Sequence, residues 1–408
     1  MIATTRTERE AVVSAVQRAV EKKFYDPRGP GSRWIEAIAK RKIEIIASPS
    51  EAHFEKSMNE LLTELGVSHT GFFHESIRRA NARMALSATL FEYQNKSEAR
   101  WMFQDVHEGG PAHLAGIRPG DILLMIDSKD AIPPENPSFA MASTTKLLIR
   151  TLKNVERNVE ITVPDPRSRR HPVIVPKLVS AKRLDDGIGW LKVAMFPGAI
   201  GIDVARLISQ AGRELECKRL IIDLRGNTGG GIGCLRLMSL MTPDRVGVGY
   251  SLTRRRASTA FDPQGFRQFD RIPSSKAGLL PLFARYAVGD KSIAVFTEAL
   301  GKQPYHGRIV LLVNEHSASA SEMVAAFASE NGFAAVVGER TPGRVVAASS
   351  FKVGHSYRVV LPIASYRTWA GTTLEGAGVM PLIWAAFTPH EPARDFQLSA
   401  AIDTVRAL

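Results

Sequence analysis

Three serines crowd into Ser317-Ala318-Ser319-Ala320-Ser321, between the apolar run Ile309 to Val313 and the helical pattern Met323 to Ala328. A buried strand that turns through small residues into a helix lets a substrate approach the backbone. A serine at such a junction meets the positive field of the helix N-terminus, which favours a developing negative charge. The chemistry this suggests is nucleophilic attack on a carbonyl. The same residues admit a second reading, because Ser319-Ala320-Ser321-Glu322 is also a capping box whose hydroxyl and carboxylate only satisfy backbone donors. The Gly-x-Ser-x-Gly elbow of the α/β-hydrolases does not occur.

A second segment runs from the apolar stretch Leu220 to Leu224 into Arg225-Gly226-Asn227-Thr228-Gly229-Gly230-Gly231-Ile232-Gly233. Glycine loops after strands often cradle phosphates. A dinucleotide fingerprint fails here, since Arg236 stands where its third glycine belongs, and no Gly-Lys-Ser/Thr follows to make a P-loop. What remains is a loop whose free N–H groups could receive an oxyanion, or a tight turn with no ligand. The third segment, Glu108 to Asp127, resembles the PDZ domain through Pro111-Ala112, Ala115-Gly116 and Gly120-Asp121 leading into an apolar strand. PDZ domains take up an extended peptide as an added strand and hold its terminal carboxylate in backbone N–H groups. Leu86, Ser87 and Ala88 fall where that carboxylate loop is expected, and a PDZ fold that only packs is the alternative.

In their order along the chain these segments resemble the family of C-terminal processing peptidases, serine enzymes that join a PDZ domain to a crotonase-like core. The resemblance covers most of the chain. It implies Ser319 as nucleophile, with the N–H of Ala320 and one of Gly229 or Gly230 as the oxyanion hole. Better-known members carry a general-base lysine after Thr-x-Gly, where this sequence reads Thr341-Pro342-Gly343-Arg344. Arginine keeps its proton, with a pKa above about 12, and cannot be that base. The branch typified by the tricorn protease instead uses a histidine from a Ser-His pair before the PDZ domain and a late glutamate. Ser68-His69 and Glu375 match those positions, although the aspartate that often follows the later proline is here Leu382. The resemblance thus implies His69 as base, with Ser68 and Glu375 orienting or polarising the site. Arg344 could bind a substrate carboxylate or pair with an acid. His316 is the competing base. The activity implied is an acyl-enzyme endopeptidase for protein or peptide substrates, recognising unstructured C-terminal tails. The departures at Arg344 and Leu382 leave open a peptide-binding scaffold without catalysis.

These residues need elements to hold them. Val12, Val16 and Val20, then Ile35 and Ile38, then Met58, Leu61, Leu62 and Leu65, recur at helical spacing and predict a helical region over residues 1–75. Residues 76–182 read as the β-rich PDZ-like domain, with strands at Ala88 to Tyr93, Trp101 to Val106, Ile122 to Ile126 and Val159 to Val163 and a helix over Phe139 to Leu152. Residues 183–408 alternate apolar strands with helical patterns, which predicts an α/β core of crotonase or ClpP type. Gln264 to Ser292 reads as a polar insertion outside that core.

The 408 residues are enough for two or three domains, and 44% hydrophobic with 23% charged residues is ordinary globular composition. Arg and Lys give a net charge of +12, but the clusters Arg167 to Arg170 and Arg254 to Arg256 lack interleaved aromatics and read as solvated loops, so nucleic acid is not an expected partner. Cys217 and Cys234 form no Cys-x-x-Cys pair, the ten histidines are scattered, and neither metal nor cofactor is expected. Residues 1–23 lack the apolar run of a signal peptide and no stretch reaches the length of a membrane span, from which a cytoplasmic location is expected. The sequence leaves the oligomeric state open.

Overall fold

The computed structural model describes residues 5–408 apart from 77–78, 95–97, 165–173, 199, 282–288, 302–307, 390 and 392–393. It is a mixed α/β fold in which a helical region leads into a PDZ-like sheet and then into a layered core. Helix Arg6–Lys23 opens with a capping box, Thr5 N–H donating to Glu8 Oε2 at 2.7 Å and Glu8 N–H to Thr5 Oγ1 at 3.2 Å. Its valines, together with Trp34, Phe54, Met58 and Leu61, pack against Tyr357, Val359 and Leu361 of the long strand Tyr357–Thr368. Strand Gly71–His74 pairs antiparallel with that strand, Gly71 opposite Val360. The turn before it, which carries Ser68 and His69, is thereby fixed to the late part of the chain.

The PDZ-like sheet has the strand order Ala88–Gln94, Ala99–Val106, Ile122–Ile126, Ser143–Arg150, Glu156–Val163, so Ala88–Gln94 is an edge. The helix expected over Phe139 to Leu152 is corrected: these residues form strands Ser138–Ala140 and Ser143–Arg150. Thr145, Leu147 and Ile149 point inward and Thr144 and Lys146 outward, a period of two that prevails over the looser three-to-four spacing.

The core sheet runs Val179–Arg183, Ile188–Val193, Arg219–Asp223, Ile309–Val313, Ala335–Gly338, Ile383–Trp384, parallel except at its first pair. Its strands are apolar on both faces because both are covered. Leu220, Ile222 and Leu311 meet helices Ile202–Leu215 and Ala320–Glu330, and Ile221, Val310 and Leu312 meet helix Phe396–Ala407. A second sheet contains strands Gly247–Thr253, Ile293–Phe296, Arg267–Phe269, Val346–Gly354 and Tyr357–Thr368.

Two further expectations need correction. Within Gln264 to Ser292, strand Arg267–Phe269 pairs with Ile293–Phe296, and Phe269 and Ile272 enter the main core, because these apolar residues complete the sheet edge. Arg254 to Arg256 begin a short helix; Arg254 donates to the Glu21 carbonyl and Arg256 lies 5.4 Å from the Phe266 ring centroid. Arg167 to Arg170 lie outside the described residues. Among the described residues no helix is long and apolar enough to cross a membrane.

Candidate active site

The nucleophile candidate is set by its neighbours. Strand Ile309–Val313 ends in Asn314, whose Oδ1 accepts from Gly226 N–H and His316 N–H, each at 3.1 Å. The flanking serines are struts: Ser317 Oγ donates to the Leu224 carbonyl at 2.8 Å, and Ser321 Oγ to the Asn227 carbonyl at 2.9 Å, both fully buried. Ser319 alone of the three is partly exposed. Its backbone has φ +56° and ψ −115°, a region unfavourable for a residue with a side chain, and such strain persists where surrounding structure enforces it. The carboxylate part of the capping box is present, with Ser319 N–H donating to Glu322 Oε2 at 3.0 Å. The Glu322 N–H finds the Ser319 carbonyl at 2.9 Å.

Glu322 does more than cap. Fully buried, it also accepts from the Thr341 hydroxyl (2.7 Å), Gly343 N–H (2.7 Å) and Arg344 N–H (2.8 Å). It therefore ties the Ser319 turn to the loop that carries Arg344.

The glycine loop lies directly against this turn. A Cβ on Gly229 would stand 2.6 Å from Ser319 Cβ, and one on Gly230 would stand 1.9 Å from the Phe196 carbonyl oxygen. Both have positive φ, so glycine is required by space and by conformation. Gly229 N–H is occupied by Asn227 Oδ1 at 2.9 Å. Gly230 N–H and Ala320 N–H, the latter at the first position of its helix, have no acceptor among the described residues. Of the two glycines, Gly230 offers the free donor.

Ser68, His69 and Glu375 also come together, though Ser68 and Glu375 are 307 residues apart. Glu375 Oε1 accepts from Ser68 N–H at 2.6 Å, and Oε2 accepts from the Ser68 hydroxyl at 3.0 Å and from Val345 N–H at 2.7 Å. The Ser68 proton is thus directed to the carboxylate, so at the 2.7 Å contact between Ser68 Oγ and His69 Nδ1 the ring must donate. This network assigns the Nδ1–H tautomer and leaves Nε2 as a lone pair. Desolvation by the surrounding wall pushes the His69 pKa below its usual 6.5, opposed by Glu375 and reinforced by Arg83 and Arg344.

His69 and Ser319 line adjoining cavities. One of about 560 Å³ holds His69, Arg83, Thr228, Glu315, His316 and Arg344 and reaches Ala88, Thr89 and Leu90 of the PDZ edge strand. The other, about 400 Å³, holds Ser319 and Gly230 among Ile232, Phe269, Met323, Val345 and Tyr366. Ala318 with Ser319 and Arg344 with Val345 form the boundary, and no hydrogen bond among the described residues joins His69 to Ser319. Arg344 has no carboxylate partner among the described residues. His316 shares the His69 cavity, and its Nε2 is buried without a hydrogen-bond partner.

Leu86, Ser87 and Ala88 are buried, at 0, 2 and 0% exposure. Ser87 has φ +53°, donates from Oγ to the Ile174 carbonyl at 3.1 Å, and is so closely covered that a Cβ on Gly110 would stand 2.5 Å from its own. Along this edge Ala88, Thr89 and Leu90 line the cavity of His69, and Leu90 is partly exposed. Arg83, which donates to Thr228 Oγ1 of the glycine loop at 2.6 Å, and Asn314 escaped the sequence reading. For Asn314 a signal existed, a lone amide ending an all-apolar strand. Among the described residues no cluster of three or more His, Cys, Asp or Glu could hold a metal.

A strained serine thus lies against a glycine loop with two free N–H donors, and the adjoining cavity holds a histidine oriented through a serine and a glutamate. Residues 187–383 match the model of peptidase family S41, and residues 102–150 match the PDZ domain. A carboxyl-terminal-processing protease of Synechocystis sp. is 26% identical over 312 residues, covering 72% of this chain and 62% of that protein. A tricorn protease homolog of Streptomyces coelicolor is 24% identical over 395 residues, covering 91% of this chain and 30% of that one. The chain thus spans less than two thirds of either relative. Among solved structures, a photosystem II D1 C-terminal processing protease shares the fold, with TM-score 0.56, 17% identity and 93% of both chains covered.

Proposed function

We propose that this protein is a serine endopeptidase acting through an acyl-enzyme, with Ser319 as nucleophile and His69 as base. The observation that carries the reading is the Glu375-Ser68-His69 relay, which holds the imidazole with its Nε2 lone pair free; His316 has no comparable support. His69 Nε2 takes the Ser319 proton as Oγ bonds to the scissile carbonyl carbon. The carbonyl oxygen then takes the electron pair and is held by the N–H groups of Gly230 and Ala320. The tetrahedral centre collapses, the C–N bond breaks, and the imidazolium returns its proton to the leaving amine. Water repeats the sequence on the ester, releasing the acid and restoring Ser319. Closing the gap between His69 and Ser319 falls to the bound substrate, since catalytic hydrogen bonds often tighten only in the complex.

Protein or peptide tails fit the site as substrates. An extended chain added to the edge strand Ala88–Gln94 enters the cavity of His69 directly, and Arg344 stands there to meet a substrate carboxylate. The apolar cavity beside Ser319 suits the side chain on the acyl side of the cut. A fluorophosphonate should label the wild type and spare Ser319→Ala. Equal labelling or equal peptide hydrolysis by the two proteins would end this assignment.

A further inference from the structure

A cavity of about 650 Å³ has no part in this chemistry. It lies between the PDZ strand Ala99–Val106 and the core strands Val179–Arg183 and Ile188–Val193, and is also lined by residues 386–388 and 394–397. Trp190 and Asp223 line it from the sheet face opposite helix Ala320–Glu330.

Most charges in this cavity are paired. Lys177 meets Glu108 at 3.1 Å, and Arg225 meets Asp223 at 2.8 Å and Asp395 at 2.7 Å. Lys192 lies 3.8 Å from Asp223, and Asp105 accepts from Thr89 Oγ1 at 2.7 Å and Asn314 Nδ2 at 3.0 Å. Two cations remain without a carboxylate among the described residues. Lys182 rests 4.9 Å from the Trp190 ring centroid and Arg394 4.4 Å from that of Phe396.

Two buried polar groups are also unsatisfied. Gln104 is 5% exposed, and neither its amide nitrogen nor its amide oxygen has a partner. His107 is 6% exposed; its Nε2 faces the Gly226 carbonyl at 3.1 Å and must donate there, so Nδ1 is a bare acceptor, buried and unpartnered. Burial pushes the His107 pKa to about 4, which keeps the ring neutral at ordinary pH. Buried polar groups are normally satisfied, and an exception calls for a cause.

We propose that this cavity is a second binding site, for a short peptide-like anion whose carboxylate meets Lys182 and Arg394, whose N–H meets His107 Nδ1 and whose amide group pairs with Gln104. Trp190, Phe387 and Phe396 give its apolar part a surface. The primary amide of Gln104 carries a donor and an acceptor, as a peptide group does, which selects an amide-bearing carboxylate over a bare anion. The ligand would stand one side chain from the glycine loop, since His107 holds Gly226 and Asp105 holds Asn314.

Labelling the full chain with 5-fluorotryptophan tests this by fluorine NMR. The resonance missing from Trp190→Phe belongs to Trp190, and N-acetyl-Ala-Ala should shift it saturably. The corresponding C-terminal amide, and acetate alone, should bind at least about tenfold more weakly, as should the free acid to the folded Lys182→Ala/Arg394→Ala variant. The proposal is overturned if Trp190 does not respond up to about 10 mM peptide, if amide or acetate matches the free acid, or if the double variant binds undiminished.

Discussion

The two cavities that meet at Ser319 are of similar size and opposite character. The one beside Gly230 has no charged residue in its described lining, whereas the one around His69 holds Arg83, Arg344, Glu315 and two histidines. In the proposed mechanism the first receives the acyl side of the substrate and the second the departing side. Selection before the cut then rests on apolar burial, and selection after it on charge.

The largest test of this division removes the base. His69→Ala should lower kcat/KM on a fluorogenic peptide by about 10⁴ with the fold unchanged by circular dichroism. A loss below about tenfold would give the role to His316. Next comes the acyl side. Gly230→Ala forces a Cβ to within 1.9 Å of the Phe196 oxygen, displacing the free N–H. It should lower kcat by about 10² to 10³, and an unchanged kcat would remove Gly230 from the oxyanion site.

A smaller effect separates the cavities by substrate. Peptides with leucine just before the cut should exceed those with aspartate by about 10² in kcat/KM, because no partner for a carboxylate lines that pocket. Comparable rates would break the distinction. The smallest effect is electrostatic. Neutral His69 is the active form, so the rate falls as pH drops through its lowered pKa. Arg344 lowers that pKa and Glu375 raises it. Arg344→Ala should therefore move the acid limb of the kcat/KM profile to higher pH and Glu375→Gln to lower pH; shifts of reversed sign would exclude His69 as the titrating base.

What could be read from the sequence follows how local each feature is. The serine run and the glycine loop are consecutive residues bounded by apolar strands, so their chemistry showed in the residue order. The packing of Gly229 against Ser319 did not, because it depends on how strands Arg219–Asp223 and Ile309–Val313 lie side by side. Ser68, His69 and Glu375 were legible only through a resemblance, since no periodicity links residues at opposite ends of the chain. The expected helix over Phe139 to Leu152 failed because an apolar run with Thr144, Thr145 and Ile149 supports either spacing until neighbouring strands decide. Leu86 to Ala88 read as a carboxylate loop without sight of Gly110 and Ile174 packed on Ser87.

The pairing of strand Gly71–His74 with Tyr357–Thr368 has a bearing on biosynthesis. The segment carrying the base emerges early from the ribosome, but the strand that anchors it and the glutamate that orients it emerge some 300 residues later. At about 5 to 20 residues per second, a chain under synthesis holds a serine and a histidine for tens of seconds without the frame that couples them. An unfinished copy therefore lacks the assembled base, and under the proposed mechanism it would have no peptidase activity of its own.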